Sequence, residues 1–539
     1  MKTGRISTVI LALSVVCIMA TGCGSSMDMN GRNYSSSQSA NNNAVAQDFA
    51  DEEKSEDEQD FNTEEYDVIE ETGFKSPLSE PFSTFSADVD TASYANIRRM
   101  INDNREVNKD AVRIEEMLNY FSYDYPAPEG NEPFSITPEI SDCPWNDNTK
   151  LMMIGLQAEK LDKSALPQSN IVFLIDVSGS MDMPDKLPLV KSAFRLLSEN
   201  LSSSDRISIV TYAGSDKTVL SGATGNEQLE IESALNSLFA GGGTAGADGI
   251  ETAYELAEKY FIEGGNNRVI LATDGDLNIG LSSEGDLKRL ITQKRKSGIF
   301  LSVLGFGSGN LKNNKLETLA DNGNGNYNYI DSIAEARKVL VSEMGGTLFT
   351  VAKDVKLQVE FNPATVKGYR LIGYENRRLA TEDFNDDSKD AGEIGMGHSV
   401  TALYEIALDG SEQEVPQPTT KYQSAESNNS FDLATLSVRY KEPDSDNSNL
   451  LERVLTADDI SGSPSDNLKF AECVTEFGML LRDSDYKGTS STENILAMLD
   501  EIPEFIDDEY KTEFAELVAT WQKNNPAKKK NILIKVEQS

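Results

Sequence analysis

The sequence predicts an α/β protein whose centre is a doubly wound, mostly parallel sheet of the Rossmann-like type. Apolar runs of strand length alternate with longer segments in which apolar residues recur every three or four positions. Two of these runs, residues 170–175 and 268–273, end directly in carboxylates, at the edge where open α/β sheets hold their ligands. Such alternation requires a parallel sheet that is covered by helices on both faces.

The central segment alternates strands and helices in regular order. Strands are predicted over residues 170–175, 206–211, 217–221, 268–273, 299–306 and 327–330, and helices over residues 186–201, 227–239, 247–261, 287–296, 315–321 and 333–344. In the first helix, Leu187, Val190, Phe194 and Leu197 share one face, which is the face expected to pack on the sheet.

The flanking regions have different patterns. Before the central segment, apolar residues at helical spacing predict amphipathic helices in an N-terminal α/β module; they are Ile97, Met100, Ile101, Ile114, Met117, Leu118 and Phe121. After it, residues 349–356 and 368–377 predict strands of a β-rich module. Helices around residues 470–482 and 514–521 are expected to close the chain.

The N-terminus indicates export and anchoring. Lys2 and Arg5 precede an apolar stretch, residues 9–20, which has the length of a secretory signal rather than of a membrane span. The following Ala20-Thr21-Gly22-Cys23 resembles a bacterial lipobox, which implies cleavage after Gly22 and lipidation of Cys23. An ordinary signal peptide that is cleaved nearby is the alternative. We therefore expect an extracytoplasmic protein that is lipid-anchored to the cell membrane, or to the outer membrane in a cell that has two.

Charge limits the classes of partner. The 539 residues carry a net charge of −40, which argues against nucleic acid because phosphate binding needs a basic face. Residues 24–79 begin rich in Ser and Asn and continue with many acidic and few apolar residues, a composition that predicts a disordered tether.

Oxygen-bearing side chains follow the predicted strands. Asp176, Ser178 and Ser180 come after the first strand, Thr244 follows a Gly-rich loop, and Asp274 ends a later strand, with Asp276 as a second-tier candidate. Hard oxygen ligands suit Mg²⁺ best, with Ca²⁺ or Mn²⁺ as alternatives, and disfavour Zn²⁺ or Cu²⁺. Taken singly, each segment also fits an ordinary turn or helix cap. Three such segments at successive strand ends favour a metal site.

This arrangement resembles the metal-ion-dependent adhesion site of von Willebrand factor type A domains. The resemblance implies that Asp176, Ser178, Ser180, Thr244 and Asp274 hold a divalent cation, and that an acidic residue of a protein partner completes its coordination. The flanking regions resemble those of bacterial lipoproteins that carry one such domain. The expected organisation is a signal peptide (1–22), a disordered acidic tether (23–80), an N-terminal module (81–165), the type A domain (166–348) and a C-terminal module (349–539).

Few residues are suited to nucleophilic catalysis. His398 is the only histidine, so any Ser-His or Cys-His pair would need it, and its Gly-rich surroundings predict a solvent-facing turn. Cys143 and Cys473 could pair, although Cys473 lies on an apolar helical face that favours a buried free thiol. We therefore expect a binding protein for adhesion or scaffolding rather than an enzyme. The alternatives are a metal-dependent envelope hydrolase and a structural envelope protein with a vestigial metal site.

Overall fold

The structure is a computed structural model that describes residues 64–130, 132–160, 167–242, 248–275, 284–309, 311–343, 346, 348–417, 431–443 and 445–526. All of these belong to one compact unit, Asp60–Ser539. Cys23, Thr244 and Asp276 lie outside the described residues.

The described strands and helices are numbered in chain order. The strands are β1 (Phe82–Ser86), β2 (Phe134–Asp142), β3 (Lys150–Ala158), β4 (Ser169–Asp176), β5 (Arg206–Tyr212), β6 (Asp216–Thr224), β7 (Asn266–Thr273), β8 (Ile299–Phe306), β9 (Tyr327–Ile330), β10 (Thr350–Phe361), β11 (Val366–Ile372), β12 (Gly392–Gly395), β13 (Ser399–Leu408), β14 (Ala434–Lys441) and β15 (Ser448–Leu455). The helices are α1 (Ala92–Asn102), α2 (Ile114–Asn119), α3 (Leu187–Ser198), α4 (Gln228–Asn236), α5 (Asp248–Lys259), α6 (Glu284–Arg295), α7 (Asn313–Asn322), α8 (Ile333–Arg337), α9 (Asp466–Arg482), α10 (Thr492–Asp500) and α11 (Glu509–Asn524).

The central sheet has the predicted doubly wound architecture. Its strand order is β6-β5-β4-β7-β8-β9, in which all neighbours are parallel except the edge strand β6. Alternate residues of β4 face opposite sides, so that Phe173 enters the core beneath α3 and Leu174 enters the core beneath α5. Phe173 stacks on Phe194 of α3 with ring centroids 4.0 Å apart. The apolar stripe predicted for α3 is therefore its buried face.

The N-terminal and C-terminal segments form sheets together. β1 pairs with β10 in the order β1-β10-β14-β15, where β12 also joins β10, and β3 lies between β2 and β13 in the order β11-β13-β3-β2. Apolar side chains from both antiparallel sheets fill one core between them, as in a sandwich. The C-terminal region is β-rich and ends in helices, as predicted. The central domain is thus inserted between two strands of neighbouring sheets, β3 and β10.

A helical layer covers the other face of the β11-β13-β3-β2 sheet. Helices α1, α2, α9, α10 and α11 bury an aromatic cluster against it, in which Phe121, Phe470 and Phe514 have mutual centroid distances of 5.0–5.6 Å. Cys473 lies in this core, and both Cys143 and Cys473 are buried free thiols. The two cysteines are therefore not paired.

A buried arginine connects this layer to the central domain. Arg98 of α1 has 4% side-chain exposure and contacts Asp331 Oδ1 at 2.5 Å, Glu335 Oε2 at 2.7 Å and Glu513 Oε2 at 3.1 Å. These partners lie just before α8, in α8 and in α11. Three regions of the chain are thereby held around one guanidinium group.

The prediction of a disordered tether to residue 80 is wrong for its last part. The side chain of Glu64 is 2% exposed and accepts a hydrogen bond from Arg99 Nη2 at 2.9 Å, while Phe74 is 8% exposed. Lys75 and Tyr369 exchange backbone hydrogen bonds of 2.9 and 3.0 Å. An acidic composition did not prevent order here because a buried arginine compensates a glutamate and the backbone finds partners in β11.

Candidate metal centre

Asp176 is the last residue of β4 and lies at the carboxyl edge of the central sheet. Because β4 runs between β5 and β7, its end is enclosed and Asp176 is fully buried. Its Oδ1 accepts a hydrogen bond from the Ser178 backbone N–H at 2.8 Å, and its Oδ2 accepts one from Thr273 Oγ1 at 3.4 Å. Burial, aided by the charge of Asp274, raises the pKa of Asp176 to about 6, although the hydrogen bonds from Ser178 oppose the shift.

The two serines place their hydroxyls side by side. Ser178 Oγ and Ser180 Oγ lie 3.0 Å apart; Ser178 is buried, whereas Ser180 is exposed. Neighbouring oxygens around Mg²⁺ are also about 3 Å apart, since octahedral coordination has metal–oxygen distances of about 2.1 Å. The spacing of this hydroxyl pair therefore fits two adjacent ligand positions, one of them open to solvent.

The Gly-rich loop packs directly against the serine loop. Gly241 N donates to Val177 O at 2.8 Å, and Gly179 N donates to Gly242 O at 3.4 Å. Gly242 has φ +97°, a conformation that favours glycine. This docking brings the segment that precedes Thr244 next to the loop that carries Ser178 and Ser180, as the sequence predicted for that segment.

Asp274 follows β7 and is fully buried beside the end of β4. Its Oδ2 accepts a hydrogen bond from Lys186 Nζ at 2.9 Å, and the lysine side chain is only 7% exposed. Gly307, at φ +76°, leaves room for this lysine, because a Cβ at that position would lie 2.4 Å from Lys186 Cε. The site therefore contains a buried cation that sequence reasoning missed, since no local pattern indicates a contact between residues so distant in the chain.

The donor set fits a hard divalent cation. Two buried carboxylates, Asp176 and Asp274, lie with the adjacent hydroxyls of Ser178 and Ser180 at the ends of neighbouring strands. All are oxygen donors with few charges, a combination that suits Mg²⁺ and leaves positions for water or an outside ligand. Lys186 contacts Asp274 and so adds one positive charge to this group of oxygen donors.

His398 lies elsewhere, in the turn between β12 and β13. The structure shows a half-buried histidine rather than the solvent-facing one that was expected. Its Nδ1 is buried without a hydrogen-bond partner among the described residues, and a Cβ on Gly346 would come within 2.0 Å of the ring. Burial lowers the pKa of His398, so the imidazole is neutral at pH 7. The turn itself is present as predicted, and packing against Gly346 covers part of the ring.

Three families match successive parts of the chain. Residues 60–153 match "von Willebrand factor", residues 170–341 match "von Willebrand factor type A domain", and residues 346–523 match "Uncharacterized protein YfbK, C-terminal". The chain is also 40% identical over 467 residues to "Uncharacterized protein YfbK" of Escherichia coli (strain K12), an alignment that covers 85% of this chain and 80% of that protein. The chain belongs to the YfbK family of von Willebrand factor type A proteins.

More distant relatives share smaller parts. "Uncharacterized protein sll0103" of Synechocystis sp. (strain ATCC 27184 / PCC 6803 / Kazusa) is 29% identical over 188 residues, which covers 34% of this chain and 43% of that protein. Among solved structures, "von Willebrand factor type A from Catenulispora acidiphila" aligns at 18% identity with a TM-score of 0.39, over 71% of this chain and 89% of that chain.

Type A domains typically mediate protein–protein interaction or adhesion, and they often bind a divalent cation at the metal-ion-dependent adhesion site. In this YfbK-family chain, Asp176 and Asp274 lie at the carboxyl ends of the neighbouring strands β4 and β7. None of the helices in the described segments is long and apolar enough to span a bilayer.

Proposed function

We propose that this protein is a lipid-anchored, extracytoplasmic binding protein of the cell envelope that captures an acidic group of a protein partner through a divalent cation, Mg²⁺ foremost. The observation that carries this proposal is the convergence of Asp176, Asp274 and the 3.0 Å Ser178–Ser180 hydroxyl pair at one sheet edge. Thr244 would add a ligand from the loop that docks on Val177 and Gly179.

The division between buried and exposed ligands supports capture of a partner. Asp176, Ser178 and Asp274 are buried and can hold a cation from the protein side, whereas Ser180 faces solvent. A cation held in this way offers an open coordination position to an outside carboxylate. Since carboxylate is a hard anionic ligand, an exposed Asp or Glu of a partner is the expected group.

The hydrolase alternative requires a general base that can reach the site. The single histidine is held in the β12–β13 turn, on the antiparallel part of the fold rather than at the β4 and β7 ends. Lys186 donates a hydrogen bond from Nζ to Asp274 Oδ2, so this side chain is engaged by a carboxylate of the site itself. We accordingly propose binding without catalysis.

The metal site is tested by calorimetric titration of Mg²⁺ into the full chain and its Asp176→Asn variant. Asp182→Asn is the matched control, because it removes an exposed carboxylate six residues along the same loop. We expect one Mg²⁺-binding event that is lost with Asp176→Asn and retained with Asp182→Asn. Binding that persists in Asp176→Asn would refute the assigned ligand set.

Partner capture is tested by retaining acidic envelope proteins on the immobilised chain with Mg²⁺ or with EDTA. Retention should require Mg²⁺ and Asp176 together. If Asp176→Asn instead lowers the melting temperature strongly while retention is unchanged, the site has a structural role, as the vestigial-site alternative holds.

Anchoring is tested separately with Cys23→Ser. We expect the wild-type chain to partition into detergent and the variant to remain in the aqueous phase. Identical partitioning would contradict lipidation at Cys23 without affecting the metal-site proposal.

A further inference from the structure

A second group of carboxylates lies in the C-terminal region, outside the type A domain. Asp354, Asp390 and Glu393 each direct a carboxylate oxygen into one space, and these three atoms lie within 4.8 Å of one another. Asp354 belongs to β10, Glu393 to β12, and Asp390 lies two residues before the start of β12. We call these three residues the β10–β12 cluster.

A β-bulge creates the cluster. The register between β10 and β12 shifts between the pairs Ala352–Ile394 and Val355–Gly392, so Glu393 faces two residues of β10 rather than one. The extra residue allows Asp354, with φ +54°, to face Glu393. Without the bulge, strand alternation would send the Asp354 side chain to the other face of the sheet.

Two of the carboxylates already have cationic partners. Lys441 Nζ contacts Asp354 Oδ2 at 2.7 Å, and Arg295 Nη1 contacts Asp390 Oδ2 at 2.5 Å. Both cations also use another acceptor: Lys441 donates to Asp387 O at 2.7 Å and Arg295 donates to Asn324 Oδ1 at 2.8 Å. Two of the three carboxylates of the cluster are thus in direct contact with a cation.

Glu393 makes no such direct contact with a cation among the described residues. Glu393 is only 8% exposed, and its Oε1 is buried with no hydrogen-bond partner among the described residues. The nearby Arg268 directs its hydrogen bonds elsewhere, to Ser302 Oγ at 2.7 Å and Leu348 O at 3.3 Å. A buried carboxylate oxygen without a partner is costly unless a cation or a proton satisfies it.

We propose that the β10–β12 cluster is a Ca²⁺ site, in which Asp354, Asp390 and Glu393 bind one ion. Oxygens on opposite sides of a Ca²⁺ ion lie up to about 5 Å apart, and the three oxygens of the cluster lie within 4.8 Å of one another. The cluster therefore accommodates Ca²⁺ as it stands. Ca²⁺ also tolerates irregular coordination completed by water, which suits a site with one exposed side, at Asp390.

The competing explanation is a proton on Glu393. Burial raises the pKa of Glu393 well above its usual range, and the charges of Asp390, Asp354 and Asp321 add to the shift, while Arg295 opposes it. A protonated Glu393 would neutralise the cluster without metal. A bound ion and a proton differ in one measurable respect, because only the ion makes stability depend on Ca²⁺ concentration.

The site would stiffen the junction between two parts of the fold. Its ligands lie on β10 and beside β12, whereas Arg295, the partner of Asp390, ends α6 of the central domain. Fixing Asp390 in the Ca²⁺ shell fixes the acceptor of that interdomain ion pair.

The test uses the full chain with Asp176→Asn, so that the metal centre of the type A domain is disabled and the two proposals are judged separately. Ca²⁺ is titrated by calorimetry, and melting is measured with Ca²⁺ and with EDTA. We expect about one Ca²⁺ per chain and a higher melting temperature with Ca²⁺. Adding Glu393→Gln should weaken binding at least tenfold and remove the thermal shift.

Two further variants serve as a second test of the ligands and as a control. Asp390→Asn changes an exposed side chain and should weaken Ca²⁺ binding even if Glu393→Gln folds poorly. Asp409→Asn removes an exposed carboxylate in the turn after β13 and should leave binding unchanged, which controls for general attraction of Ca²⁺ to an acidic chain. Absence of Ca²⁺ binding in the Asp176→Asn chain would overturn the proposal in favour of a proton on Glu393. The same conclusion would follow if adding Glu393→Gln or Asp390→Asn to that chain left its Ca²⁺ affinity unchanged.

Discussion

Replacing Lys186 with methionine tests whether a built-in cation balances the metal centre. Lys186 Nζ lies 2.9 Å from Asp274 Oδ2, with side-chain exposures of 7% and 0%. Removing one partner of such a buried pair destabilises a protein by about 3–5 kcal/mol, because the other charge stays buried and uncompensated. We therefore expect the metal-free Lys186→Met variant to lose about that much free energy of unfolding.

A bound divalent cation should reverse much of this loss. In the variant, Mg²⁺ no longer shares Asp274 with an ammonium group, so binding relieves a buried negative charge. If only about a third of a 4 kcal/mol penalty is regained on binding, the affinity for Mg²⁺ rises about tenfold, since 1.4 kcal/mol corresponds to a factor of ten. Methionine keeps a long apolar side chain, which limits the cavity that the substitution leaves.

The assay combines urea unfolding in EDTA with calorimetric titration of Mg²⁺. Lys217→Met is the matched control, because it removes an exposed lysine from the edge strand β6 and should change neither quantity by more than about 0.5 kcal/mol. Unchanged or weaker Mg²⁺ binding in Lys186→Met, with Lys217→Met behaving like wild type, would refute the idea that Lys186 and the cation compensate the same carboxylate.

Two further predictions use other parts of the fold. Gly307→Ala combines a positive φ with a Cβ placed 2.4 Å from Lys186 Cε, whereas Gly264→Ala has a positive φ but no atom within 4 Å of its Cβ. The first substitution should therefore destabilise the protein by about 2 kcal/mol more than the second. Chemical unfolding of both variants measures the difference. Burial raises the pKa of Glu472 in α9 to about 8, from an ordinary value of 4.5. Its contribution to stability is therefore present below about pH 4.5 and is lost as pH rises through 8, so Glu472→Gln should be more stable than wild type at pH 9, by up to about 5 kcal/mol, and nearly equal at pH 5. Unfolding curves at the two pH values test this, and a pH-independent difference would contradict it.

Local patterns predicted the central domain well. The bounds predicted for β8 and β9 agree with the structure, and those of the other strands differ by only a few residues, because apolar runs between helical segments define buried parallel strands. The positions of Asp176 and Asp274 at neighbouring strand ends followed from the same reasoning.

Features that depend on distant contacts could not be predicted. Lys186 stands before α3 like any polar residue at a helix start, and its role appears only when Asp274 is placed beside it. The β10–β12 cluster needs a bulge that brings Asp354 opposite Glu393, and no spacing in the sequence indicates that bulge. Likewise, the acidic composition around Glu64 predicted disorder because Arg99, its partner, belongs to a separate helix.

Because the N-terminal and C-terminal segments share sheets, the order of synthesis affects how the chain folds. β1 and β3 find their partners in β10 and β13, and about 190 residues separate the end of β3 from the start of β10. At about 5–20 residues per second, synthesis of that interval takes roughly 10–40 s. During this time the inserted domain can fold, whereas β1 and the open side of β3 expose unpaired backbone edges that favour aggregation. In a nascent chain of this protein, those edges therefore stay unpaired until β10 and β13 have emerged.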